Sequence, residues 1–234
     1  MNTPVVKGII FDKDGTLFDF ATTWEAWAAA FLLRLCKGDR TQAAAVGRAI
    51  GFDFASRTFA RDSLVIAGTA GEVATALAPH FPDFSKSRLL GLLNDEASAA
   101  PQSEAVPLAP FLNGLRARGL VLGVATNDAE APARAHLAAS GVTDQFDFIA
   151  GFDSGHGGKP APGQLLAFCE AMDLPPEAVL MVGDSLHDLH AGRAAGMRCV
   201  AVLTGMATAK ELAPHADVVL AHIGEIPGWL DQTD

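Results

Sequence analysis

Two pairs of carboxylates give this sequence its clearest chemical signal. Asp12 and Asp14 lie in Asp12-Lys13-Asp14-Gly15-Thr16, directly after the mostly apolar run Val5 to Phe11. Carboxylates at i and i+2 leaving a strand can point to one side. Held together they repel, and a hard divalent cation with oxygen ligands relieves that repulsion. A carboxylate can also attack phosphorus and form an acyl-phosphate. A second one beside the leaving oxygen can act as acid and then as base toward water. Gly15 permits a tight turn and close approach of backbone N–H groups, with that of Thr16, to a phosphate. The plainer reading is an Asp-Gly turn that ends a strand.

Three further clusters follow short apolar runs. Thr126 and Asn127 end Leu120 to Ala125; a hydroxyl and adjacent N–H groups there suit phosphate oxygens, or cap a helix. Lys159 sits in Gly157-Gly158-Lys159-Pro160-Ala161-Pro162. Its ammonium can neutralise a carboxylate and a transferring phosphoryl group, or be a solvated loop lysine. Asp184 ends the run Val179 to Val182, and Asp188 follows four residues on. If a helix starts at Ser185, Asp188 falls in its first turn and faces the same mouth; an acidic pair also suits a helix dipole.

These clusters need elements that gather them. Additional strand candidates are Phe146 to Ala150, Cys199 to Leu203 and Val218 to Leu220. Helical patterns run over Leu108 to Arg118, Ala129 to Ser140, Gly163 to Met172 and Leu186 to Ala195. Strands alternating with helices of this length predict an α/β fold, a Rossmann-like doubly wound parallel sheet. Sites in such sheets form outside the carboxyl ends of the strands, where all four clusters fall.

Residues 18–100 break the rhythm, with helical patterns and no convincing strand. Trp24, Trp27, Ala28, Phe31 and Leu35 form one helical stripe, read as core packing. Ser85 is placed to cap a helix through Leu89 and Leu93. Pro101, Pro107 and Pro110 mark a hinge-like return. The expected organisation is a core of residues 1–17 and 101–234, with an inserted all-α cap at 18–100.

Composition narrows the function. The chain has 234 residues, half of them hydrophobic, and a formal charge of −10. That charge argues against binding a nucleic-acid backbone. The start of the chain lacks signal-peptide features and no run is long enough to span a bilayer, so a soluble cytoplasmic protein is expected. Cys36, Cys169 and Cys199 have no metal or redox spacing and read as buried thiols.

Taken together, the four clusters resemble the motifs of the haloacid dehalogenase superfamily, specifically its phosphatases with a helical cap. The DKDGT run matches the first motif, Thr126 the second, Lys159 the third, and Asp184 with Asp188 the fourth. The resemblance implies Mg²⁺ as cofactor and a small phosphorylated metabolite as substrate, with a monomer or homodimer as the assembly. It makes Asp12 the nucleophile and a metal ligand, and Asp14 the acid/base and a ligand through its carbonyl. Asp184 becomes a metal ligand, Asp188 its support directly or through water, and Thr126 and Lys159 the holders of phosphoryl oxygens. The FDKDGTLFD and Asp153 to Pro160 runs look like phosphoglycolate phosphatases, although KPAPG carries Gly163 where many relatives have Asp. A substrate carboxylate is then expected to meet Arg57 or Arg61 in the cap. His156 and His187 are read as lying near the site mouth, neither as a ligand. The alternatives are a sugar phosphomutase and an inactive phosphate-binding regulatory protein.

Overall fold

In the computed structural model the chain is described over residues 5–233, except the side chains at 22, 67 and 233. Residues 1–4 and 234 of the expected core segments lie outside this range. The core begins with β1 (Gly8–Phe11), whose four residues are all buried, as a central parallel strand requires. The chain then leaves for α1 (Phe20–Leu35), α2 (Arg40–Ala49), β2 (Phe52–Asp53) and β3 (Thr58–Phe59). It continues through α3 (Leu64–Ala67), α4 (Ala70–Leu77) and α5 (Lys86–Ser98).

It returns through α6 (Leu108–Ala117), β4 (Val121–Ala125), α7 (Glu130–Ala139), β5 (Phe148–Ala150) and α8 (Gly163–Met172). The last elements are β6 (Val179–Gly183), α9 (Leu186–Ala195), β7 (Arg198–Val202), α10 (Ala209–Leu212), β8 (Val218–Leu220) and α11 (Ile226–Thr233). The strands form one sheet in the order β5-β4-β1-β6-β7-β8, every pairing parallel. The winding reverses at β1, so the loops after β1, β4 and β6 open into one crevice. The sheet is sandwiched between two apolar layers. Ile9, Phe11 and Leu112 belong to one, Ile10, Phe168 and Leu189 to the other.

The inserted segment builds a separate apolar cluster. Trp24, Phe31 and Leu32 of α1 pack with Val46, Leu77, Leu89 and Leu93 from α2, α4 and α5. Ser85 caps α5 as expected, its Oγ accepting from the Arg88 N–H. The segment is not purely helical, however. β2 and β3 form an antiparallel pair, with buried Phe52 opposite buried Phe59. The turn between them is held by Asp53, which accepts from the Ala55 N–H at 2.8 Å. Strands of two residues have no alternation to read, which hid this hairpin from the pattern.

The proline reading also needs correction. Pro110 is not part of a hinge; it lies in the first turn of α6, where its missing N–H costs nothing. The two crossings between sheet and cap run side by side: the Asp19 N–H donates to Ser103 O and the Ala105 N–H to Leu17 O.

Candidate active site

The crevice is built from strand ends. The Asp12 N–H donates to Val182 O at 2.8 Å, which ties the exit of β1 to β6. Gly15 then turns with φ 84°, and a Cβ there would press on the Asp184 carboxylate. Gly205, after β7, leaves no room for a Cβ against the same carboxylate. Thr204 Oγ1 donates to Gly15 O at 2.6 Å and so fastens this loop to the first. Thr16 is fully buried with its hydroxyl 3.5 Å from Asp184 Oδ1. Gly15 and Thr16 therefore back Asp184.

Asp12, Asp184 and Asp188 are all buried, with ligand oxygens within 4.8 Å of one another. Burial pushes the Asp12 carboxyl up to about 7; Lys159 pulls against this, while Asp188 and Asp14 add to it. Asp184 is raised well above the carboxylate range, first by burial and then by the charges of Asp188 and Asp12. Such a set of crowded, dehydrated oxygens fits a hard divalent cation, which would relieve both burial and repulsion.

Lys159 is not a solvated loop lysine. Its Nζ donates to Asp12 Oδ1 at 2.5 Å, Asp188 Oδ1 at 2.6 Å and Ala125 O at 2.7 Å, and the side chain is 2% exposed. Burial lowers its basicity, but Asp12 and Asp188 together outweigh that and hold it charged. Asn127 positions it: Asn127 Nδ2 donates to Lys159 O and the Lys159 N–H donates to Asn127 Oδ1, at 2.9 and 2.8 Å. Thr126 does not cap α7, whose N-cap is Ala129; its Oγ1 accepts from the Asp128 N–H at 3.0 Å. Asp188 accepts from the N–H and Oγ of Ser185, closing a capping box at the start of α9. Asp188 thus lies in the first turn of α9 and at the crevice. Gly163 has a local cause as well, since a Cβ would collide with the His156 carbonyl.

Several residues of the site were not singled out from sequence. Lys13 is fully buried on the other side of Asp14. Its Nζ lies 2.7 Å from Asp14 Oδ2, 3.0 Å from His136 Nδ1 and 3.4 Å from Asp128 Oδ2. His136 Nε2 is 2.6 Å from Ala97 O in the cap, so Nε2 carries the proton and Nδ1 accepts from Lys13. Burial and the Lys13 charge lower His136 to about 4. Burial lifts Asp128 to about 6, against the pull of Lys13.

Trp24 extends this network from α1. Its Nε1 donates to Asp14 Oδ1 at 2.9 Å. The stripe expected to be only core therefore also touches the candidate acid, and Trp24 and Trp27 both line the crevice. The His136 bond to Ala97 O joins residues 39 apart, and the Trp24 bond reaches back 10 residues from α1 to the loop after β1; neither pairing has a sequence period that would reveal it.

The crevice is walled by Asp12, Asp14, Thr126, Asn127, Lys159, Asp184 and Asp188 at its floor. Of the expected residues, Arg57 and Arg61 are not brought there. Arg57 is exposed at the β2–β3 turn with φ 58°, beside Arg40 and Arg48 in a separate shallow depression. Arg61 is exposed and 3.7 Å from Glu211. His187 lines the crevice, whereas His156 packs beside Phe148. The three cysteines are free and buried. Among the described residues, no helix is long and apolar enough to cross a membrane.

A parallel sheet with an inserted cap and acidic residues at the strand ends defines a class, and comparison with known proteins agrees. The family model for haloacid dehalogenase-like hydrolases matches residues 6–196, and the chain belongs to this family of enzymes. It is 32% identical over 231 residues to a phosphoglycolate phosphatase of Rhodospirillum rubrum, covering 96% of this chain and 90% of the relative. It is 29% identical over 231 residues to an N-acetylmuramic acid 6-phosphate phosphatase of Pseudomonas putida, covering 97% and 96%. CbbY of Rhodobacter sphaeroides, solved in complex with phosphate, superposes with a TM-score of 0.70 at 22% identity, covering 97% of this chain and 100% of that one. The last likeness shows the shared fold.

Proposed function

We propose that this enzyme is a phosphoric monoester hydrolase that works through an aspartyl-phosphate on Asp12 and depends on Mg²⁺. The observation that carries this reading is the Asp12 carboxylate, buried beside Lys159 and grouped with Asp184 and Asp188. We assign residues 1–17 and 101–234 to the catalytic core and 18–100 to the cap. Asp12, Asp184, Asp188 and the Asp14 carbonyl would hold the ion. When bound, Mg²⁺ supplies positive charge to the phosphoryl oxygens and lets the three carboxylates remain ionised.

The chain's own groups do the rest. Ionised Asp12 attacks phosphorus with one oxygen, and its P–O bond forms as the ester P–O bond breaks. Lys159 and the backbone at Thr126 and Asn127 hold the equatorial oxygens, where transition-state charge lies. Asp14 gives its proton to the leaving alkoxide. It then takes one from the water that attacks the phosphorus of the aspartyl-phosphate, releasing phosphate and restoring Asp12. The Trp24 N–H and the Lys13 ammonium aim the Asp14 carboxyl toward the crevice.

Phosphoglycolate is the substrate in the name of the Rhodospirillum rubrum relative, which places it on the panel of esters to be compared. A panel of phosphate esters with Mg²⁺ tests the assignment. Release of inorganic phosphate that stops with a chelator and returns with Mg²⁺ is expected; no release from any ester, p-nitrophenyl phosphate included, would overturn it.

A further inference from the structure

The cap side of the crevice has a chemistry of its own. Phe20, Trp27, Val65, Ile66, Val73 and Leu93 face it from α1, α3, α4 and α5. Among the described residues that line the crevice, the cap provides no lysine or arginine. The two cations beneath it belong to the crevice floor, not to the cap wall. Lys159 spends its three N–H bonds on Asp12, Asp188 and Ala125 O, and Lys13 lies between Asp14, Asp128 and His136. His187, the remaining basic group on the wall, stands on α9 of the core.

Five carboxylates line the same space: Asp12, Asp14, Asp128, Asp184 and Asp188. A divalent ion and Lys159 can balance one transferring phosphoryl group. A second anion on the substrate would lose its water against an apolar cap wall that carries no lysine or arginine, with His187 of the core as its remaining basic neighbour. Three polar atoms of crevice-lining residues are buried without a hydrogen-bond partner: the donor Trp27 Nε1, the acceptor Asn94 Oδ1, and Asp128 Oδ2, which has Lys13 Nζ 3.4 Å away. Trp27 and Asn94 thus place an uncharged donor and an uncharged acceptor among the apolar side chains of the cap wall.

We infer that the crevice selects a phosphate monoester whose alcohol part is uncharged and largely apolar. An ester bearing a carboxylate, phosphoglycolate among them, is a poor substrate. The inference rests on the phosphatase reading above and concerns what the cap adds to it.

Isosteric pairs that differ in charge test it: para-carbamoylbenzyl against para-carboxybenzyl phosphate, and the amide of phosphoglycolate against phosphoglycolate. With the intact enzyme and Mg²⁺, kcat/KM should favour the neutral member of each pair by about tenfold or more, the scale at which an apolar pocket discriminates. The benzyl pair should be turned over faster than the glycolate pair. Placing a cation in the wall with Ile66→Arg should narrow or reverse the preference, with circular dichroism confirming the fold. Equal or higher efficiency for the carboxylates with the parent enzyme would overturn the inference while leaving the phosphatase intact. Failure to hydrolyse any ester, p-nitrophenyl phosphate included, would instead remove the reading beneath it.

Discussion

Replacing Lys159 with methionine keeps the length of the side chain but removes the ammonium that three buried oxygens share. Asp12 and Asp188 would be left within a buried carboxylate cluster, and breaking a buried ion pair in this way costs about 3–5 kcal/mol. The pH dependence follows from Asp12. Its carboxyl stands at about 7 in the fold against 3.8 in the unfolded chain, because burial outweighs the pull of Lys159. The folded state therefore holds the proton more tightly, and the fold gains stability as pH falls from about 7 toward 4.

Without Lys159 that carboxyl rises further. The deficit of Lys159→Met relative to the parent should be largest above the variant's raised pKa, shrink as pH falls from there to about 7, and stay level below 7, where Asp12 is protonated in both proteins. Urea unfolding of the two metal-free proteins at about pH 8.5 and pH 6 measures this directly. Equal stability at the higher pH, or a deficit that does not change with pH, would refute the electrostatic account of this cluster.

Four other outcomes follow from the same geometry. Asp12→Asn should lower turnover by at least about 10⁴-fold, the scale for loss of a covalent nucleophile, while thermal unfolding shows a fold as stable as the parent or more so. Lys13→Met should reduce kcat by about 10²-fold on alkyl phosphates, within the range of general acid catalysis, and much less on p-nitrophenyl phosphate, whose leaving group needs no proton; an equal loss on both would show that Lys13 does not act through Asp14. His136, lowered from 6.5 to about 4 by burial and the Lys13 charge, binds a proton more readily when unfolded. The parent should lose about 3 kcal/mol through this group between pH 6.5 and 4, a loss absent from His136→Gln in matched unfolding titrations. Arg57→Ala and Arg61→Ala should each leave kcat/KM within about twofold of the parent, since surface changes away from a site have small effects; a large loss would bring the β2–β3 turn back into substrate binding.

Much of the crevice floor was legible because the residues that build it sit where short apolar runs stop. β1, β4 and β6 are buried on both faces, so the polar residues after Phe11, Ala125 and Gly183 announce both the strand ends and the crevice. Lys159 could be suspected but not placed, since its burial depends on Asn127 holding its backbone across 32 residues of chain. Trp24 was read only as core because an apolar stripe shows which face is buried and nothing about one ring nitrogen at its edge. His136 gave no signal at all: its partners are Lys13, which is 123 residues away, and a backbone carbonyl in the cap. Arg57 was chosen for its chemistry alone, and the hairpin that turns it outward was too short to detect.

The most direct test is to trap the covalent intermediate. The parent enzyme, quenched by acid during steady turnover and reduced with borohydride, should yield homoserine at position 12 by peptide mass spectrometry, because an acyl-phosphate is reduced where a free carboxylate is not. Asp12→Asn should yield none. Active enzyme with no modification at Asp12, or with homoserine at Asp14 or Asp184 instead, would contradict the account.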